Sequence, residues 1–172
     1  MILYYYAKVI YFLNNNIYLY QSHINLLVDE IIKINHVGNI DHDIDLIVRL
    51  PDGPVYVYSD RIQIQQVLMN LLSNAIFAAR ESSTGESKIV ISGIVESGNI
   101  TISVRDFGPG IDPEIIGKVF KPFVTSKKDG LGIGLAISRT IIEDHHGNIQ
   151  AENMPDGGAK FSFSLKIYDD GA

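Results

Sequence analysis

Two asparagines one helical turn apart, Asn70 and Asn74, carry the first chemical signal of this sequence. They lie in Gln65-Gln66-Val67-Leu68-Met69-Asn70-Leu71-Leu72-Ser73-Asn74-Ala75, where a separation of four residues puts both on one helical face. Their oxygens can coordinate a divalent ion or its waters, and their nitrogens can donate to phosphate. Taken alone, the pair reads more simply as a polar helix surface. The second signal is Asp106-Phe107-Gly108-Pro109-Gly110, directly after a strand pattern. A carboxylate there can face a pocket and accept a hydrogen bond from an exocyclic amine such as that of adenine, while the glycines let the chain pass close to the base. In isolation this is equally an ordinary loop after a strand. The third is Gly130-Leu131-Gly132-Ile133-Gly134-Leu135, which opens a helix. Its alternating glycines leave backbone N–H groups uncovered, and the helix start adds partial positive charge, which suits a polyphosphate. Lys121, Lys127 and Lys128 stand just upstream beside Thr125 and Ser126, and either reach phosphate when the loop closes or form an ordinary solvated charged loop. A fourth stretch, Gly157-Gly158-Ala159-Lys160-Phe161, is a glycine turn feeding a strand and says little more by itself.

Together these segments imply a site with an acceptor for a base, amides for a metal and N–H groups for phosphates. Other nucleotide sites are excluded by motif. There is no GxxxxGK[ST] phosphate loop, and no strand runs into the glycines as dinucleotide folds require. Asp106-Phe107-Gly108 shares three letters with the protein-kinase motif, but no HRD or VAIK segment precedes it.

The elements that must position these residues follow from periodicity. Leu27, Ile31 and Ile34, with Val28 and Ile32 beside them, predict a helix from Ile24 to Ile34, closed by Gly38 and Asn39. Asp43 to Leu50 alternates as a strand, Pro51 to Pro54 turns, and Val55 to Tyr58 is a second short strand. Ser59 or Asp60 caps a helix from Arg61 to Ala79, with Ile64, Val67, Leu68, Leu71, Leu72, Ala75 and Ala79 on its buried stripe. After a polar loop, Ser82 to Ser87, the strands Lys88–Val95 and Asn99–Arg105 form a hairpin through Glu96-Ser97-Gly98. The long stretch from Asp106 to Gly130 predicts only a short helix, about Pro113 to Val119. A helix Leu135–His145 and strands Asn148–Glu152 and Ala159–Ile167 complete the chain. This order predicts an α+β fold, a two-layer α/β sandwich with a mixed, mainly antiparallel sheet and helices on one face.

Composition agrees with one domain. The 172 residues are 46% hydrophobic and contain no cysteine, which excludes a disulfide scaffold, a thiolate metal site and a cysteine nucleophile. Fourteen basic against twenty acidic groups, a formal −6, give no support for a nucleic-acid partner. Residues 1–23 read as an aromatic-rich lead-in or linker remnant, with residues 24–172 as the domain proper. Six of the nine tyrosines fall in the first twenty residues, where Lys8 and Asn14 to Asn16 break the apolar run well short of the roughly 20 residues a span needs. That segment is expected to pack on the domain or, in self-association, on a second copy, or else to be the frayed remnant of a longer connecting helix or a membrane-surface segment.

At this point the sequence resembles the catalytic and ATP-binding domain of bacterial sensor histidine kinases, within the superfamily of DNA gyrase B, the MutL proteins and the ninety-kilodalton heat-shock chaperone. Gln66 to Ala75 resembles the asparagine box, Asp106 to Ile111 the first glycine box, Val119-Phe120-Lys121-Pro122-Phe123 the phenylalanine box, and Gly130 to Ser138 the second glycine box. Gly157 to Phe161 resembles the closing glycine motif. The resemblance covers about Ile24 to Ile167 and implies a Bergerat-type fold of a mixed sheet faced by three helices. It implies ATP and Mg²⁺ as cofactors, with Asn74 on the metal, Asn70 beside the phosphates, and Asn70, Asn74 and Lys127 as the catalytic set. Asp106 would bind the adenine amine. Gly108, Gly110, Phe120, Lys121, Thr125, Ser126, Lys127 and Gly130, Leu131, Gly132, Ile133, Gly134 and Leu135 would complete the nucleotide site. Its nearest subgroup, that of nitrogen-regulation and oxygen-sensing kinases, often has an acidic residue where Phe77 stands.

The partners implied are a histidine-containing dimerisation domain, in the parent chain or in trans, and a response regulator, with a cytoplasmic location, either free or as the cytoplasmic part of a membrane-bound sensor. None of His23, His36, His42, His145 or His146 lies in an H-E-x-x-x-P acceptor motif. Serine kinases and ATPases of the superfamily resemble a Glu-x-x-x-Asn arrangement, and the glutamate position is Asn70 here, an amide that cannot take a proton at neutral pH. This favours a histidine acceptor. The alternatives are a nucleotide-binding regulatory module without activity alone and a protein-serine kinase of the anti-sigma type.

Overall fold

The computed structural model describes residues 20–38, 44–82, 87–127 and 130–168, and of residues 35–38 the helical backbone only. The lead-in up to residue 19, His42, Asn39, most of the polar loop (83–86) and Lys128 lie outside the described residues. The chain runs β1 (Tyr20–His23), α1 (Ile24–Gly38), β2 (Asp45–Arg49), β3 (Tyr56–Ser59), α2 (Arg61–Arg80), β4 (Lys88–Glu96), β5 (Asn99–Asp106), α3 (Gly134–Asp144), β6 (Asn148–Asn153) and β7 (Ala159–Lys166). Five strands form one sheet in the order β2-β4-β5-β7-β6, and β1 pairs with β3 in a separate two-stranded ribbon. Only β2 and β4 pair in parallel within the larger sheet, and β3 and α2 supply the crossover that a parallel pair requires. The fold is therefore the expected mixed, mainly antiparallel α+β layering.

Side-chain parity decides which face of the sheet meets the helices. Along β5, Ile100, Ile102, Val104 and Asp106 alternate inward and are buried, while the residues between them are more open. Phe161, Phe163 and Leu165 do the same on β7, and Ile102 lies opposite Phe163 in the register. Ile64, Val67, Leu68, Leu71, Leu72, Ala75, Ile76 and Ala79 of α2 cover this face. Each Val, Leu or Ile so buried contributes about 1.5–3 kcal/mol relative to exposure.

Local signals set the element ends. Asp60 rather than Ser59 caps α2, its Oδ1 accepting from Ile62 N at 2.9 Å and Gln63 N at 3.2 Å, while Ser59 is buried in β3. Ser97 and Gly98 both take positive φ, 51° and 74°, the two-residue turn that matches strand twist. The helices α2 and α3 are tied at their outer ends by His145. Its Nε2 accepts from Asp60 N at 2.9 Å, and its Nδ1, 2.7 Å from the Ile141 carbonyl oxygen, carries the hydrogen.

Two elements differ from the sequence expectation. Tyr20–His23, counted there with the lead-in, is a strand whose partner β3 lies more than thirty residues on, a non-local pairing with no local signature. The short helix expected over about Pro113 to Val119 is only a 3₁₀ turn, Ile116–Lys118. Asp112 directs the chain instead, accepting from Glu114 N with its side chain and from Ile115 N and Ile116 N with its carbonyl.

Candidate functional site

The inward parity of β5 ends on a charge. Asp106 continues the apolar row of Ile100, Ile102 and Val104 and is 2% exposed. Its Oδ1 accepts from Gly108 N at 3.0 Å and from Ala159 N at 3.2 Å, which leaves Oδ2 for a ligand. Burial raises the carboxyl above the ordinary 3.8, and the two backbone donors and the nearby Arg105 charge oppose that rise. Gly158 seals this corner: a Cβ there would lie 2.0 Å from the Asp106 carbonyl oxygen, and its φ is +77°. Phe107 anchors the loop from outside, with the Arg105 guanidinium 4.2 Å and the Lys88 ammonium 4.9 Å from its ring centre. Asn153 holds the loop's far end, its amide accepting from Ile111 N and donating to Ile111 O, both at 2.7 Å.

A cleft of about 620 Å³ opens from Asp106 between α2, the loop after β5 and the start of α3. Asn74, Asp106, Gly110, Thr125, Ser126, Lys127 and the run Gly130 to Leu135 border it. Of the other expected residues, Asn70, Gly108, Phe120 and Lys121 stand outside its lining. Asn70 lies behind the wall, its Nδ2 donating to Gly134 O at 3.0 Å and Ser138 Oγ at 3.1 Å. Gly108 holds Asp106, Phe120 packs edge-on against Phe161 with ring centres 6.3 Å apart, and Lys121 is exposed. The lining also includes Phe77, Ala78 and Glu81, which the sequence reading did not assign to the site. The signal was present: with Asn74 they follow the three- and four-residue steps of one helix face.

The opposite wall is the first turn of α3. Its N-cap, Ile133, makes no side-chain capping bond, so the leading amides lack the usual internal acceptor. Uncapped amides of this kind are the type that accepts an anion. The loop is held against this turn by Phe123 N donating to Gly132 O at 2.9 Å, and Gly132 (φ +64°) has no room for a side chain, since a Cβ would lie 2.7 Å from the Phe123 carbonyl carbon. Across the cleft, the Lys127 ammonium donates to Asn74 Oδ1 at 2.6 Å and lies 4.6 Å from the Phe77 ring centre. Burial lowers the Lys127 pKa.

Residues 59–169, which carry this cleft, match the family model of histidine kinase-, DNA gyrase B- and HSP90-like ATPases, well over half of the chain. The chain belongs to this ATPase family. Within the family it is a catalytic domain of the sensor histidine kinase type. It is 38% identical over 144 residues to the sensor protein FixL of Bradyrhizobium diazoefficiens, matching 84% of this chain and 28% of FixL. It is 35% identical over 151 residues to the signal transduction histidine-protein kinase AtoS of Escherichia coli, matching 88% of this chain and 24% of AtoS. The chain thus spans about a quarter of the length of these relatives. The solved catalytic domain of the histidine kinase ThkA superposes with a TM-score of 0.75 at 36% identity, covering 86% of this chain and 95% of that one. This family fold is an ATP-binding one. Among the described residues, no helix is long and apolar enough to cross a membrane.

Proposed function

We propose that this ATPase-family domain binds ATP with Mg²⁺ and transfers the γ-phosphoryl group to a histidine on a separate dimerisation domain, for relay to a response regulator on the cytoplasmic side. One observation carries the reading: a buried carboxylate, a carboxamide oxygen and an uncapped helix start border a single cleft. The residues present fit the nucleotide and its metal. A cation already rests on Asn74 Oδ1, so that oxygen is turned to receive positive charge. Among the described residues no group of three or more His, Cys, Asp or Glu could hold a metal, which suits Mg²⁺ that takes most of its ligands from phosphate and water. When bound, Mg²⁺ would neutralise phosphate charge.

The chain's own residues then divide the work. Asp106 accepts from the adenine amine, with Gly108 and Gly110 carrying the loop past the base. The amides of Gly130 to Leu135 orient the phosphates, and Lys127, beside Thr125 and Ser126, offsets charge as the phosphoryl group leaves in line. Lys121 and Phe120 belong to the lid that admits the acceptor. Asn70 is turned into α3 as a donor, so it offers no base for a hydroxyl or water. Imidazole already offers a nucleophilic nitrogen and needs less help from such a base, which favours histidine as acceptor.

The test mixes the chain with a separately made dimeric histidine domain and labelled ATP. Label stable to base and lost in acid, on histidine, is expected. Label on serine would replace this reading with a serine kinase. Tight ATP binding with no transfer would reduce it to a nucleotide-binding module.

A further inference from the structure

Asn74 Oδ1 is the oxygen that the proposed function gives to Mg²⁺, and the Lys127 ammonium holds it at 2.6 Å. An ammonium leaves water only for partners that return what it loses. Here the carboxamide returns a charge-assisted hydrogen bond and the face of Phe77 returns a cation–π attraction. Phe77 stands three residues after Asn74, so ring and carboxamide share one face of α2. The ring is 42% exposed and borders the cleft, so its position is not explained by core packing. The lysine's main chain is also pinned, with its N–H donating to Thr125 Oγ1 at 3.0 Å and its carbonyl accepting from Gly130 N at 3.2 Å.

We propose that Phe77 is a positioning residue that seats the Lys127 ammonium on Asn74 Oδ1 as a built-in cation, so that this lysine and Mg²⁺ compete for one oxygen. The proposal rests on the reading that Asn74 faces the metal–nucleotide complex. A metal ligand distance near 2.1 Å leaves no room for an ammonium on the same lone pairs, and like charges repel. Metal-free nucleotide therefore meets a site that already holds a positive charge, whereas Mg²⁺ must displace that charge. Removing the seat weakens the first kind of binding and relieves the competition in the second. Both effects raise one ratio, the ADP dissociation constant in EDTA divided by that in excess Mg²⁺.

Calorimetric titration of the 172-residue chain with ADP, in Mg²⁺ and in EDTA, reads this ratio directly. Phe77→Leu and Lys127→Met are each expected to raise it about five- to ten-fold. Phe77→Tyr, which keeps the ring, is expected to leave it at the starting value, and the double variant Phe77→Leu/Lys127→Met to exceed neither single one. An unchanged or lower ratio in Phe77→Leu would overturn the proposal, as would Phe77→Tyr behaving like leucine. Should Lys127→Met instead lower the ratio, the lysine contributes more to the metal-bound ADP complex than to the metal-free one, and the competition is refuted while the nucleotide site and the lysine's role at the leaving phosphoryl group stand. No ADP binding by the folded starting protein in either buffer would remove the nucleotide reading itself, and this proposal with it.

Discussion

The two ends of the cleft are built in opposite ways. At the Asp106 end, the geometry is set by the backbone: a buried carboxylate fixed by two amide donors, a glycine with no room for a Cβ, and a loop held by Asn153 and Phe107. At the other end, long side chains meet across open space. Lys127 reaches to α2, and Phe123 and Leu131 stand 72% and 56% exposed. On the proposed reading, a base is flat and presents the same edge each time, so a fixed acceptor would serve it. On the same reading a phosphoryl group would have to leave, and the wall beside it is made of exposed side chains that can be displaced without disturbing the core.

Substitutions should break this contrast unequally. Gly158→Ala has the largest expected effect. The added Cβ collides with the Asp106 carbonyl at a left-handed φ, so stability should fall by about 2–4 kcal/mol, read by urea denaturation. Asp106→Asn comes next. It keeps volume but loses the carboxylate acceptor, and ATP affinity should drop about 10- to 100-fold by calorimetry. Unchanged affinity would sink the adenine assignment. The raised pKa of Asp106 gives this a pH signature. Its contribution to folding stability is full below 3.8 and is lost as pH rises through the raised value. Nucleotide binding needs the ionised acceptor, so affinity should weaken as pH falls through that same value, and the asparagine variant should not follow this curve. Smallest is Phe123→Gly at the lid. The ring is mostly exposed and its φ is +67°, so losing it should change stability by less than about 0.5 kcal/mol despite its size, measured by thermal melting.

The same contrast decides what could be read from sequence. Asp106 announced its place because strand alternation carries through Ile100, Ile102 and Val104 to the carboxylate, a local rule that needs no knowledge of partners. The α2 stripe was legible for the same reason, and with it the turn that separates Asn70 from Asn74. What escaped depends on distant contacts. β1 exists only through β3, the turn at Ile116 yields to Asp112, and Asn70 faces α3 rather than the cleft because Gly134 and Ser138 arrive from sixty residues away. Phe77 departs from the acidic residue common in the subgroup that the sequence resembles, and its contact with the Lys127 ammonium depends on a residue far along the chain.

The imidazole of His145 has one more consequence. α2 and α3 are joined there and again where Asn70 meets the first turn of α3, two rungs separated by ten residues of α2, or about 15 Å of helix. Neither helix can slide along the other without rupturing both rungs. Asn74 on α2 and the glycine-led first turn of α3 are therefore held at one spacing by two separate contacts.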